Sequence, residues 1–111
     1  MSRKFRKKPV VIDAILAGEV LDGASSGRFS WKAKDPIADW IKAAYDNRVI
    51  GFEKDAVLIN TEGHGMVRAE RTDWIIRGVS GELYPCRPDV FEKTYEAVDE
   101  TMIVEGKGVS Q

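Results

Sequence analysis

The sequence predicts a small α+β domain that is mainly β: a small curled antiparallel sheet or partial barrel with one amphipathic helix at about residues 35–46. Short runs of β-branched and aromatic residues, with a period of two, fill most of the chain after residue 48. Before them, one stretch has the period of a helix. A chain of 111 residues has room for one core rather than two.

The first predicted element is a strand at residues 9–16, where a run rich in valine and isoleucine lies between a proline and a glycine. The residues that follow, 17–34, are rich in glycine, alanine and serine and predict a long, mobile loop. We expect a single globular domain over residues 1–98 and an acidic, flexible tail at 99–111.

The pair Asp35-Pro36 predicts the start of the helix, because aspartate is a good N-cap and proline at the first helical position loses no hydrogen bond. Apolar residues then recur three and four positions apart and form one stripe, which we expect to be buried. The stripe consists of Ile37, Trp40, Ile41, Ala44 and Tyr45. Asn47 is predicted to end the helix in a left-handed conformation.

The remaining elements are predicted from alternation and from turn residues. The predicted strands are 49–53, 56–61, 66–69, 74–77, 82–86 and 94–98. Lys54-Asp55 and the segment 78–81 are the turns of two hairpins, and the second has glycines available for positive φ. Pro88 suits the first turn of a short helical segment at 90–93.

Charge and composition exclude several classes of protein. Seventeen basic and 18 acidic residues nearly cancel, whereas a general nucleic-acid binder usually has a basic excess. No run of 18 apolar residues is present to span a membrane. A single cysteine, Cys86, excludes an internal disulfide and fits a reducing cytoplasm. The first eight residues hold five basic side chains, which predicts a solvated end, a phosphate-contacting arm, or pairing with the acidic tail.

The sequence predicts no catalytic site. His64 is the only histidine and lies between two glycines in a turn, so one chain cannot form a histidine pair or triad. Cys86 lies beside Arg87, whose charge could lower the pKa of a thiol, but a lone cysteine in a strand is more often a buried apolar side chain. We therefore expect neither enzyme activity nor a cofactor or metal.

The second half of the chain carries a resemblance. Residues 73–95, DWIIRGVSGELYPCRPDVFEKTY, and residues 4–14, KFRKKPVVIDA, resemble a group of small bacteriophage and prophage proteins of largely unknown function. Their pattern is an opening like RKKPVVIEA, a Pro-Gly-Asp-Trp/Tyr-Ile-Ile segment and an ending like GEFYPCKPDIFEKTYE. Arg71-Thr72 replaces their Pro-Gly, so the turn before Trp74 must be built differently here. The resemblance implies a phage or prophage gene product in the cytoplasm of a bacterial host, and no particular reaction.

Candidate binding residues gather around the second hairpin. They are Trp74, Arg77, Tyr84, Arg87 and Asp89. Arginines and aromatic side chains together are typical of protein-binding hot spots and of sites that stack bases. The alternative is structural: Trp74 and Tyr84 lie in the core, and Arg77 pairs with Glu82 across the hairpin.

Three functions remain open. The first is a non-enzymatic phage accessory protein that binds and modulates a host protein, in defence or host takeover. The second is a protein that binds or sequesters a nucleotide, with a pocket formed by a homo-oligomer. The third is nucleic-acid binding through the basic arm, which the many acids oppose. We expect the first, with a host protein as partner and no membrane association.

Overall fold

The computed structural model describes residues 2–4, 10–30, 32–61 and 63–97. Within these ranges, three helices accompany two three-stranded antiparallel sheets. The strands are β1 (Asp13–Leu16), β2 (Ile50–Glu53), β3 (Ala56–Thr61), β4 (Gly65–Glu70), β5 (Trp74–Arg77) and β6 (Leu83–Cys86). The helices are α1 (Ala17–Ser25), α2 (Asp39–Asp46) and α3 (Pro88–Thr94). The predicted α+β class, rich in strand, is confirmed, but neither sheet closes into a barrel.

The two sheets differ in how far apart their strands lie in the sequence. The second sheet has the order β2-β3-β4 and is a simple meander. The first has the order β1-β5-β6, so its central strand pairs with a strand near the start of the chain. Ile15 lies opposite Ile75, and Ile75 lies opposite Pro85. This long-range pairing brings the beginning of the described domain against the second hairpin.

One hydrophobic cluster joins both sheets to α1 and α2. Its most deeply buried members include Val20 from α1, Ile41 from α2, Val57 and Ile59 from β3, and Ile75 from β5. Burial of each such side chain contributes about 1.5–3 kcal/mol to the free energy of unfolding. Neither helix is long enough to be stable alone, so this apolar contact is what holds α1 and α2 in place.

The predicted loop at 17–34 is wrong in its first half, because residues 17–25 form α1. The glycines that suggested a loop instead permit close packing. A Cβ on Gly23 would approach the Cδ1 atom of Ile37 to 3.2 Å, and one on Gly18 would approach the carbonyl oxygen of Arg71 to 3.0 Å. The amide of Gly18 donates a hydrogen bond to that same oxygen at 2.9 Å. Helix α1 therefore lies unusually close to its neighbours.

The predicted start of the second helix is also wrong. Helix α2 begins at Asp39, and Ala38 precedes it without a side-chain cap. Asp35 instead accepts a hydrogen bond on its carbonyl oxygen from the Arg28 side chain at 2.7 Å. The amide of Ile37 donates to the carbonyl oxygen of Arg28 at 3.0 Å. Residues 35–38 are therefore a link tied to Arg28, from which Ile37 enters the core as predicted.

Only part of the predicted apolar stripe of α2 is buried. Ile41 and Ala44 are in the core, as expected. Trp40 is half-buried and packs against the edge of the core, and Tyr45 is exposed over 44% of its surface. Ile41 and Ala44 therefore face the core, whereas the two large aromatic side chains lie at its margin and retain contact with solvent.

Three boundary predictions need correction. The first strand begins at Asp13 rather than at residue 9, and residue 9 itself lies outside the described residues. The predicted helical turn at 90–93 is a longer helix, α3, with Pro88 in its first turn as expected. A strand at 94–98 is wrong where it can be assessed, because Thr94 ends α3 and residues 95–97 are not in a strand. Of the basic arm, Arg3 and Lys4 are described, and residues 5–8 lie outside the described residues. The acidic tail at 99–111 also lies outside them.

Two substitutions test the position of α2. Ile41→Ala should lower the free energy of unfolding by about 2–5 kcal/mol, because it opens a cavity in a fully buried site. Asp35→Ala should cost less than about 0.5 kcal/mol, since its side chain caps no helix and lies at the surface. Urea unfolding curves measure both values. A loss of about 1 kcal/mol or more in the free energy of unfolding of Asp35→Ala would indicate that Asp35 caps the helix, and would contradict a helix that begins at Asp39.

Candidate functional site

The structure separates the five predicted binding residues: three lie on opposite faces of the first sheet, and two lie at the beginning of α3. Alternation and register put Trp74 and Tyr84 on the face that α3 approaches. Arg77 lies on the opposite face of the sheet, together with Ile75, whose side chain packs in the core. Arg87 and Asp89 are at the beginning of α3. The five residues therefore do not form a single site.

An aromatic contact attaches α3 to the first sheet. The ring of Trp74 stacks on that of Phe91, with 4.3 Å between centroids and 11° between planes. Phe91 in turn contacts Tyr95 at 5.2 Å. Ile76 lies on the same face of β5 as Trp74 and is inaccessible to solvent. Trp74 therefore has a structural role at the contact with α3, but neither it nor Tyr84 lies in the core as the alternative interpretation expected, because both are only partly buried.

Tyr84 belongs to the same structural unit. Burial raises the pKa of its hydroxyl to about 12, and a hydrogen bond with Tyr95 adds to the shift. Negative charge on Glu82 and on the phenolate form of Tyr95 also raises the pKa of Tyr84. A phenol in this environment remains protonated, so it stabilises the contact with α3 and has no acid–base role near neutral pH.

The thiol of Cys86 is not activated by its neighbour Arg87. Burial raises the pKa of Cys86, and the carboxylates of Asp73 and Asp89 raise it further. The thiol lies 3.6 Å from the carbonyl oxygen of Arg87, to which it donates a weak hydrogen bond. A reactive cysteine needs the opposite environment, one that favours the thiolate.

Arg77 pairs with Asp13, and the predicted pair with Glu82 is wrong. Asp13 lies directly opposite Arg77 in the register of β1 and β5. Its Oδ2 atom accepts two hydrogen bonds from Arg77, from Nε at 3.1 Å and from a terminal nitrogen at 2.6 Å. The guanidinium carbon also lies 5.4 Å from the ring centroid of Trp40, a cation–π contact. Arg77 is thereby fixed in one orientation at the end of β5.

Glu82 has a different partner, and it shapes the hairpin loop. Its carboxylate accepts a hydrogen bond from the amide of Ser80 at 3.0 Å and folds over Gly78, where a Cβ atom would collide with it. Gly81 has a φ of 87°, which glycine adopts without strain. These contacts hold the loop 78–81 in one shape and project Val79 outward.

A shallow depression of about 380 Å³ lies beside this ion pair. It is lined by Val11, Asp13, Arg77, Gly78, Val79 and Gly81. Val79 and Val11 are exposed over 72% and 57% of their surfaces. The depression thus combines an oriented ion pair with two solvent-exposed apolar side chains, and we take it as the candidate site.

Sequence reasoning identified Arg77 and the glycine loop but missed Val11, Asp13 and Val79. One signal was present: Asp13 is the only charged residue in an otherwise apolar strand segment, 10–16. A charge in such a strand needs a partner on the neighbouring strand. Nothing local in the sequence shows that this neighbour is β5, 64 residues away in the chain.

Arg87 and Asp89 do not line the depression. Their side chains lie 3.7 Å apart, and both are largely exposed to solvent. An exposed pair at this separation contributes little to stability. They form a separate charged spot at the start of α3.

The described residues contain no group of three or more histidine, cysteine, aspartate or glutamate side chains arranged to hold a metal ion. His64 is exposed in the turn before β4, as predicted from its flanking glycines. Among the same residues, no helix is both long and apolar enough to cross a membrane.

Comparison of the chain with protein-family models, with curated proteins and with solved structures finds no match. The resemblance to phage and prophage proteins therefore remains a prediction. The residues that carry most of it, 73–95, coincide with β5, β6 and α3. They are the residues whose aromatic contacts hold this part of the fold together.

The raised pKa of Tyr84 makes stability depend on pH in the alkaline range. The unfolded chain releases this proton near its ordinary pKa of 10.0, whereas the folded chain retains it to about 12. The stabilisation is therefore complete below pH 10 and is lost as the pH rises through about 12. Tyr84→Phe should show a shallower fall in the free energy of unfolding over this window, measured by urea denaturation. Parallel curves for the two proteins would contradict this account of Tyr84.

Proposed function

We propose that the protein is a non-enzymatic binding domain that engages another protein through the depression formed by Val11, Asp13, Arg77 and Val79. The observation that carries this proposal is the placement of two exposed valines around an oriented, half-exposed ion pair. With the resemblance to phage proteins, it favours a phage accessory protein that binds and modulates a protein of its bacterial host.

The charge of the depression favours a protein over a nucleotide. Arg77 already donates two hydrogen bonds to Asp13, so a phosphate group would have to displace that carboxylate or bind beside it. Arg77 is also the single cationic side chain among the lining residues that the structure describes. A nucleotide site normally offers phosphate groups several unpaired donors.

The rigidity of the depression favours binding energetically. Arg77 is held by Asp13 and by the ring of Trp40, and the loop is held by Glu82. Side chains that are already ordered lose little conformational entropy when a partner binds. Exposed apolar side chains next to an arginine resemble the centre and rim of a protein interface.

The chemistry of the depression supports a role without catalysis. Asp13 is its one carboxylate among the described lining residues, and Arg77 occupies it. The Cys86 thiol and the Tyr84 hydroxyl, the two groups with raised pKa nearby in sequence, are engaged with the α3 side of the sheet. A nucleophile paired with a general base is the feature that catalysis would require.

Photo-crosslinking tests this proposal. A benzophenone amino acid at position 79, in protein expressed in a bacterial host, should give one discrete adduct with a host polypeptide. The same group at position 90 is the matched control, because Val90 is an exposed valine, 48% accessible, on α3 instead. Mass spectrometry identifies the adduct, and the purified partner is then tested for direct binding.

With that partner, Val79→Asp should weaken binding at least about tenfold, while Val90→Asp leaves it unchanged. Both substitutions replace exposed valines, so each should change the free energy of unfolding by no more than about 0.5 kcal/mol. Equal effects of the two variants, or adducts at position 90 alone, would refute the proposed surface. A co-purifying nucleotide lost on substitution of Arg77 would favour the nucleotide-binding function instead.

A further inference from the structure

The end of helix α2 has an unfavourable residue in a left-handed position. The amide of Val49 donates to the carbonyl oxygen of Ala44 at 2.8 Å, and that of Arg48 donates to Tyr45 at 3.1 Å. This pair of hydrogen bonds defines a Schellman motif, in which the residue after the C-cap is left-handed and is usually glycine. Here it is Arg48, with a φ of 63°, and not the predicted Asn47, whose φ is −91°.

Arg48 also differs in its surroundings from the other arginines between residues 10 and 97. Those at positions 28, 68, 71, 77 and 87 each lie within 4 Å of a carboxylate. The side chain of Arg48 makes no ion pair or hydrogen bond with any residue that the structure describes. A side chain that costs backbone strain and stabilises no contact of its own fold suggests a role toward a ligand.

A surface groove of about 510 Å³ lies beside Arg48. It is lined by Tyr45, Asp46, Arg48, Ile50, Gly51 and Met66. Tyr45 and Met66 are exposed over 44% and 57% of their surfaces. Gly51 has nothing within 4 Å of the position its Cβ would take, so this part of the groove is open.

The aromatic wall of the groove is held in position from behind. The ring of Tyr45 stacks on Phe52, with centroids 5.2 Å apart and planes 21° apart. Phe29 contacts both rings edge-on, at 5.4 Å and 5.8 Å. Tyr45 is therefore exposed but ordered, which lowers the entropy lost when a ligand packs on it.

We propose that this groove binds a peptide segment of a partner protein in which a carboxylate lies close to an apolar or aromatic side chain. The carboxylate pairs with the guanidinium of Arg48, which offers two parallel donors. The apolar side chain packs on Tyr45 and on the flexible thioether of Met66. This site is separate from the Arg77 depression, shares no lining residue with it, and stands or falls independently of the function proposed for it.

The remaining charge of the groove selects a peptide over a nucleotide. Asp46 lies at the same rim and, like Arg48, makes no ion pair with a described residue. It would repel a phosphate group, which carries up to two negative charges. A peptide can place one carboxylate at Arg48 and a neutral or basic group near Asp46.

An array of synthetic 12-residue peptides tests the proposal. Each peptide carries one glutamate placed one to four residues from one phenylalanine in a serine–glycine background. Matched peptides replace the glutamate with lysine or the phenylalanine with alanine. Fluorescence anisotropy with the full chain should show tightest binding for glutamate–phenylalanine peptides, weakened at least about tenfold in either matched set.

Variants of the protein assign the binding to the groove. Arg48→Gln should lose about tenfold or more in affinity, whereas Arg48→Lys retains part of it, and both keep a non-glycine residue in the left-handed position. Arg87→Gln is the matched control, because Arg87 is an exposed arginine at the start of α3 that does not line the groove, and it should leave peptide affinity unchanged. Arg48→Gly should raise the melting temperature by about 2–6 °C while abolishing the preference for glutamate.

Four results would overturn the proposal. The first is that no glutamate–phenylalanine peptide binds at millimolar concentration, and the second is that Arg48→Gln binds the peptides as tightly as the unsubstituted protein. The third is that Arg48→Gly lowers the melting temperature. The fourth is that adenosine monophosphate binds more tightly than any peptide. The last result would assign the groove to a nucleotide. None of them bears on the crosslinking result at position 79.

Discussion

The fold depends on the burial of strand β5 from both sides. Ile75 faces the core shared by both sheets, α1 and α2, and Ile76 faces the opposite way, where Trp74 stacks on Phe91 of α3. Neighbouring residues of a strand point to opposite faces, so both can be fully buried only if the sheet is covered on each side. The central position of β5 between β1 and β6 supplies its hydrogen bonds, and the two covered faces supply the apolar contact.

The burial of β5 on both sides explains why the candidate binding residues of the first sheet lie on opposite faces. On the α3 face, Trp74 and Tyr84 are used to attach a helix that has no buried residue of its own. On the core face, Arg77 is the last residue of β5, and Asp13 and Trp40 fix its orientation there. One short strand therefore contributes both to the stability of the domain and to the surface that we propose as a binding site.

The sequence predicts the parts of the fold that depend on local patterns. The hairpin of β2 and β3, with its turn at Lys54-Asp55, follows from alternation and is confirmed. Helix α1 was missed because Gly18 and Gly23 are read as loop residues, although they serve close packing against Arg71 and Ile37. The pairing of Arg77 with Asp13 was missed because it depends on which distant strand lies beside β5.

The free energy of unfolding of Ile76→Ala provides the sharpest test of whether β5 is buried on both faces. Ile76 is outside the main hydrophobic cluster, yet it is inaccessible to solvent on the face of the sheet where Trp74 stacks on Phe91. Urea denaturation should therefore show a loss of about 2–5 kcal/mol, as for a core position. A loss below about 1 kcal/mol would mean that this face of β5 is open to solvent, and would contradict the two-sided burial of the strand.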